Sequence, residues 1–105
     1  MRYFVRLTSR AEEQLVELDA YLSERFSSPA AARFVDGIVD YCESLATFPL
    51  RGMRRDDVRP GLRITSYRKR VVIAFDVEGD CVSILGIFYG GQSYELALFE
   101  EEDDG

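Results

Sequence analysis

Arg70-Val71-Val72-Ile73-Ala74-Phe75-Asp76-Val77, then Glu78-Gly79-Asp80, then Cys81-Val82-Ser83-Ile84-Leu85-Gly86-Ile87-Phe88-Tyr89 is the stretch that decides the fold. Two runs rich in β-branched and aromatic residues flank three turn residues, and the glycine can take positive φ. The stretch therefore predicts a β-hairpin, with Gly90-Gly91 breaking its second strand. Just upstream, Leu62-Arg63-Ile64-Thr65-Ser66-Tyr67 alternates like a half-buried strand. Three locally joined antiparallel strands are the result.

The first half of the chain has a different period. Arg2 to Leu7 carries the strand formers Tyr3, Phe4 and Val5 and predicts a first strand. Thr8-Ser9-Arg10-Ala11-Glu12 then reads as a helix start, with Ser9 as cap and Glu12 completing a capping box. Ala11, Leu15, Leu18, Leu22 and Phe26 share one helical face, and Glu12, Glu13, Glu17, Asp19 and Glu24 solvate the rest. Ser28 suits the cap of a second helix and Pro29 its first position. Phe34, Ile38, Tyr41, Leu45 and Phe48 form its apolar stripe, widened by Val35, Val39, Cys42 and Ala46, and Pro49 ends it. So short a connection predicts an antiparallel helical hairpin. Gly37 inside this helix costs about 1 kcal/mol relative to alanine, which close helix packing would offset. Leu50 to Gly61 reads as a loop.

The expected fold is α+β in the order β-α-α-β-β-β, with the helical hairpin on one face of a mainly antiparallel sheet. Residues 1–94 make one domain. Residues 95–105 are expected to be an acidic, disordered tail, with five acids in a row from Glu100 to Asp104.

A chain of 105 residues, 47% hydrophobic and 30% charged, fits one globular domain and excludes disorder throughout. No apolar run approaches the ~20 residues of a membrane span. Arg2 and Arg6 interrupt the region where a signal peptide is apolar, so a cytoplasmic protein with no membrane contact is expected. The chain has two cysteines and no histidine. That removes the commonest metal ligand and the commonest general base, and no metal or cofactor is expected. Cys42, on a helical apolar face, reads as a small buried hydrophobe.

Charge is uneven. Pro49 to Arg70 holds eight basic residues and two acidic ones, a net +6 inside a chain of net −6. Such a segment points to a local anionic contact rather than to general coating of nucleic acid.

Phe48-Pro49-Leu50-Arg51-Gly52 after the second helix, Arg55-Asp56-Asp57-Val58-Arg59-Pro60-Gly61-Leu62-Arg63 before the next strand, and the Tyr67 to Leu85 hairpin, in that order, resemble the ParE branch of the RelE/ParE toxins. The likeness spans residues 1 to about 94. It implies the toxin of a type II toxin–antitoxin pair, neutralised in a hetero-oligomer by a ParD-like antitoxin. ParE relatives are associated with inhibiting DNA gyrase, and RelE relatives with cutting mRNA on the ribosome. Many relatives have a basic residue and a histidine late in the final strand, where this chain reads Leu85-Gly86-Ile87-Phe88-Tyr89.

Within that resemblance, Arg55, Arg59, Arg63 and Arg70 are candidate antitoxin contacts, because guanidinium forks bind carboxylates in pairs. The bland alternative is that the loop arginines pair with Asp56 and Asp57. Val16, Ala20, Val35 and Val39 lie off the main stripes. They either close the hairpin or offer a groove to an amphipathic antitoxin helix. For a nuclease, Tyr94 sits where RelE-type toxins have a late tyrosine, with Arg63, Lys69 and Arg70 as partners in one groove; otherwise Tyr94 is a packing aromatic. The favoured reading is a binding-type gyrase inhibitor that is not an enzyme and does not itself read DNA sequence. The alternatives are a RelE-like ribosome-dependent mRNA endonuclease and a non-toxic antitoxin-binding domain.

Overall fold

The computed structural model describes residues 2–90 and 94–101. In chain order it has strand β1 (Phe4–Leu7), helices α1 (Ser9–Arg25) and α2 (Ser28–Ser44), strands β2 (Met53–Arg54), β3 (Arg63–Tyr67), β4 (Val71–Glu78) and β5 (Cys81–Tyr89), and helix α3 (Tyr94–Glu101). The strands form one sheet in the order β1-β5-β4-β3-β2. β1 joins β5 in parallel, from Phe4 opposite Cys81 to Leu7 opposite Ile84, and every other pairing is antiparallel. This is the expected α+β arrangement with two additions, β2 and α3.

Both faces of the sheet are covered. On one, Ala11, Leu15, Leu18 and Leu22 of α1 and Ala31, Ile38 and Cys42 of α2 pack against Val71, Ile73, Phe75, Val82, Ile84 and Ile87. Full burial of each large aliphatic side chain here stabilises the fold by about 1.5–3 kcal/mol. Burial pushes the Cys42 thiol up to about 12, which keeps it protonated and inert. On the other face, Val58, Leu62, Ala74, Phe88 and Leu98 form a second core. A bulge serves both. Ala74 pairs with Gly86 but Phe75 with Ile84, so Leu85 is the extra residue. Ile84 and Ile87, three apart, thus both meet the helices, while Leu85 and Phe88 meet the second core.

The structure corrects several boundaries. The α1 cap is Thr8, not Ser9: its hydroxyl accepts from Ala11 N and also donates to Ile84 O at 2.7 Å. A cap that ties the helix to the sheet outcompetes one that serves the helix alone. Ser27, not Ser28, caps α2 by accepting from Ala30 N at 3.2 Å. α2 ends at Ser44, so Phe48 leaves the expected stripe and is 62% exposed; Phe26, at the α1 C-cap, is 70% exposed. Gly37 faces β3 rather than α1, because a Cβ there would collide with the Tyr67 hydroxyl. The expected acidic tail is helical in its first part. α3 runs from Tyr94 to Glu101 because Leu98 is fully buried, with Ala97 packed beside it, on the second core. Residues 102–105, and Gly91 of the expected strand break, lie outside the described residues.

The β3–β4 turn is strained. Arg68 and Lys69 both take left-handed φ, at 53° and 59°, and Arg70 N closes the turn on Tyr67 O at 3.1 Å. Twisted two-residue hairpins need this conformation, which Asn-Gly adopts at little cost. An Arg-Lys pair costs roughly 1–2 kcal/mol per residue. Strain held at a surface position is a pointer to function.

Candidate partner-binding groove

β1 stops at Leu7, opposite Ile84, while β5 continues to Tyr89. Among the described residues no strand pairs with this part of β5 on the β1 side. Thr8 N donates to Ile84 O at 3.1 Å, and three residues on from Ala11, Gln14 Oε1 accepts from Ile87 N at 2.7 Å. The side chain of an α1 residue thus replaces a strand for one hydrogen bond. Beyond it the sheet edge opens into a groove.

Three hollows of about 350, 340 and 310 Å³ meet at Tyr89. The first lies between Leu18 and Tyr21 of α1 and Ile87 of β5. The second lies between Leu22, Phe26 and Phe34 on the helices and Arg68 and Arg70 of the turn. The third, around the end of the strands on the second-core face, holds Ser66, Lys69, Arg70 and Phe88. Aromatic rings build the floor: Tyr21 to Tyr89 at 6.1 Å, Tyr89 to Phe34 at 6.1 Å, and Phe34 to Tyr67 at 5.7 Å. Tilted and edge-on rings at these separations make a stiff apolar surface. The strained turn sets three consecutive cations at its rim, with Arg68 stacked on Tyr67 at 5.5 Å. Among the described residues no carboxylate pairs with Lys69 or Arg70.

The other arginines are placed differently. Arg55 is occupied within the molecule: it holds Asp57 at 2.9 Å and Glu95 at 2.6 Å and donates to the Tyr94 hydroxyl, tying α3 to the loop before β3. The Asp57 and Glu95 hydrogen bonds push its guanidinium pKa up, and Arg55 in turn holds the Asp57 carboxyl below the usual range. Arg54 pairs with Asp56 at 2.8 Å, and the Gly61 backbone N–H, with Arg54 second, lowers the Asp56 pKa. For these two loop arginines the acid-pairing alternative holds. Arg59 lies partly buried near Asp76, and Arg63 donates to Leu50 O at 3.2 Å. Val16 and Ala20 are exposed on the outer side of α1, whereas Val35 and Val39 pack half-buried against the main core. Of the expected contacts, Arg70 alone lines the groove. Lys69, expected only as a partner for a nuclease tyrosine, joins it, as do Tyr21, Phe26, Phe34, Arg68 and Tyr89, which the sequence did not mark as contacts.

The structure divides the nuclease set. Tyr94 rests on Phe88 at 6.2 Å beneath Arg55, and burial raises its phenol pKa although Arg55 pulls the other way. Lys69 and Arg70 flank Phe88 from the turn, and Arg63 is engaged at Leu50. No cluster of metal-binding side chains occurs among the described residues, and no described helix is long and apolar enough to cross a membrane.

Residues 5–94 match the family model described as ParE toxin of type II toxin-antitoxin system, parDE. The chain belongs to this family. Membership makes it a type II toxin–antitoxin toxin by descent, and the solved structures that share the fold include two toxin–antitoxin systems. One is described as a chromosomal ParDE system from P. aeruginosa, 21% identical, with a TM-score of 0.75 over 85% of this chain and 97% of that one. The other is the toxin–antitoxin complex RelBE2 from Mycobacterium tuberculosis, 20% identical, with a TM-score of 0.61 over 85% and 99%. No curated protein matches the sequence. ParE family membership and the helix-covered mixed sheet agree with the resemblance read from the sequence.

Proposed function

We propose that the protein is a growth-arresting toxin of the cytoplasm, neutralised by a ParD-like antitoxin that lays an apolar, acidic segment in the groove, and that its target is DNA gyrase. The observation that carries the antitoxin reading is the junction of Tyr21, Phe26, Phe34 and Tyr89 with Arg68, Lys69 and Arg70. An amphipathic helix or strand needs an apolar trough for its buried side and countercharges for its rim, and this junction offers both. Both solved neighbours bear descriptions as toxin–antitoxin systems, which supports the same kind of partner here.

The preference for an inhibitor over a nuclease rests on chemistry. The chain has no histidine, and the Tyr94 hydroxyl is engaged by Arg55 with its pKa raised, away from a phenolate base. Proton transfer by a positioned group contributes about 10²–10⁴-fold to such reactions, so a nuclease without one is severely slowed. The second reading, an mRNA endonuclease, draws on Lys69 and Arg70 beside Phe88, where cations can stabilise a phosphorane.

Pulse-labelling of DNA, RNA and protein synthesis after induction separates the two. An inhibitor of gyrase stops DNA synthesis first and leaves mRNA ends intact. Early loss of protein synthesis with new ribosome-positioned mRNA breaks, abolished in Tyr94→Phe, overturns the gyrase reading.

A further inference from the structure

The groove accounts for one exposed apolar region. A second lies at the other end of α2, where Phe48, Leu50 and Met53 are 62%, 65% and 61% exposed within six residues of chain. Phe48 and Leu50 border a hollow of about 520 Å³ that Tyr3 and Pro49 also line, and Met53 follows in the adjoining strand β2. Single exposed apolar residues are ordinary, but a cluster marks a contact surface.

This loop is held rigidly. Arg51 stacks on Tyr41 at 5.2 Å and on Phe48 at 5.6 Å, and donates to Ser44 Oγ at 3.3 Å. Arg63 donates to Leu50 O. Gly52 sits at φ +85° so close to the Ile64 carbonyl that any Cβ would collide with it. Met53 and Arg54 then pair with β3 opposite Ile64 and Arg63. Four separate restraints keep three apolar side chains facing water. An ordered display of this kind lowers the entropy lost on binding.

The rim is basic. Arg51, Arg54 and Arg63 all lie on or beside the loop, and Asp56, bonded to Arg54, is the acid paired with them among the described residues. In a chain of net −6, a local basic rim selects an acidic partner that the rest of the surface repels. Ala30, Ala31 and Phe34, at the start of α2, line the antitoxin groove, whereas Tyr3 N binds Ala46 O just past its end. A 17-residue helix spans about 25 Å, so one partner segment in the groove leaves this loop open.

We propose that the Phe48–Met53 loop is a second protein-docking surface, separate from the groove, through which the toxin grips its cellular target by an acidic segment bearing apolar side chains. The proposal rests on the toxin reading but not on the identity of the target.

The test is the double variant Leu50→Glu, Met53→Glu in the full chain, with growth arrest after induction and calorimetric affinity for the antitoxin encoded beside it as readouts. Losing a central anchor of a protein interface weakens it by at least about tenfold. Arrest should therefore need at least about tenfold more toxin, while antitoxin affinity and the melting temperature stay at wild-type values. If the double variant does not fold, the single variant Leu50→Ser carries the same expectation. Undiminished arrest by a folded variant overturns the proposal, as does a parallel loss of antitoxin affinity. If the wild type itself fails to arrest growth, the toxin reading falls and takes the assigned occupant with it, which is a different result from arrest by wild type and variant alike.

Discussion

Gln14 Oε1 accepts the Ile87 N–H at 2.7 Å, so a helix side chain satisfies the sheet edge at the point where β1 has ended. A buried amide left without this acceptor costs about 1–3 kcal/mol. Gln14→Leu should destabilise the protein by that amount in urea melts, and Gln14→Glu, which keeps an accepting oxygen, by much less. Equal losses in the two variants would mean that packing, not the hydrogen bond, holds the edge.

Gly37 and Tyr67 make a second testable pair. Alanine is the better helix former by about 1 kcal/mol, yet Gly37→Ala should destabilise by roughly 1–3 kcal/mol, because the new methyl meets the Tyr67 hydroxyl. Tyr67→Phe removes that oxygen. A double-mutant cycle should therefore show a favourable coupling, with the pair less destabilised than the two single losses imply. Additive losses would place the collision elsewhere.

The turn trades stability for charge. Lys69→Gly relieves one left-handed residue and should raise stability by about 1–2 kcal/mol while weakening antitoxin binding. Wild-type affinity should also fall as salt is added, since exposed charge attraction is screened over about 8–10 Å. A stabilised Lys69→Gly that binds as tightly as wild type would remove the turn from the interface.

Asp76 provides a pH signature. Burial, with Glu78 adding to it, raises its pKa, against the pull of Arg59 and Arg6. A carboxyl with a folded pKa above its unfolded value favours folding while protonated, and that contribution is lost as pH rises through the folded pKa. Asp76→Asn should therefore melt higher than wild type at neutral pH, with the difference vanishing as pH falls below the usual carboxylate range. A difference that grows on acidification would show that Asp76 is stabilised as the anion.

Much of the fold is legible in the chain because it is local. Leu15, Leu18 and Leu22 declare α1 by their spacing, and the run from Val71 to Tyr89 declares its hairpin. The α1 cap sits one residue before the position that the local pattern predicts, because Thr8 gains a bond to Ile84, seventy-six positions away. No local rule contains that bond. The groove is hidden for the same reason. It exists because β1 ends before β5 does, a matter of register between the two ends of the chain. Pairing of Arg55 with a neighbouring acid is legible in the sequence, but its hold on Glu95, forty residues on, is not. Phe26 and Tyr89 carry the available signal, as large aromatics at element ends where their own helix or strand cannot cover them.

Growth after induction, with and without the antitoxin encoded beside the gene, tests most directly whether the groove is where a partner disarms the toxin. The proteins to compare are the wild type and the double variant Phe26→Ser, Arg70→Ala. Both should arrest growth when made alone. The antitoxin should rescue the wild type fully and the double variant poorly. Normal growth with soluble wild-type protein alone, or rescue of the double variant as complete as that of the wild type, would contradict a disarming groove.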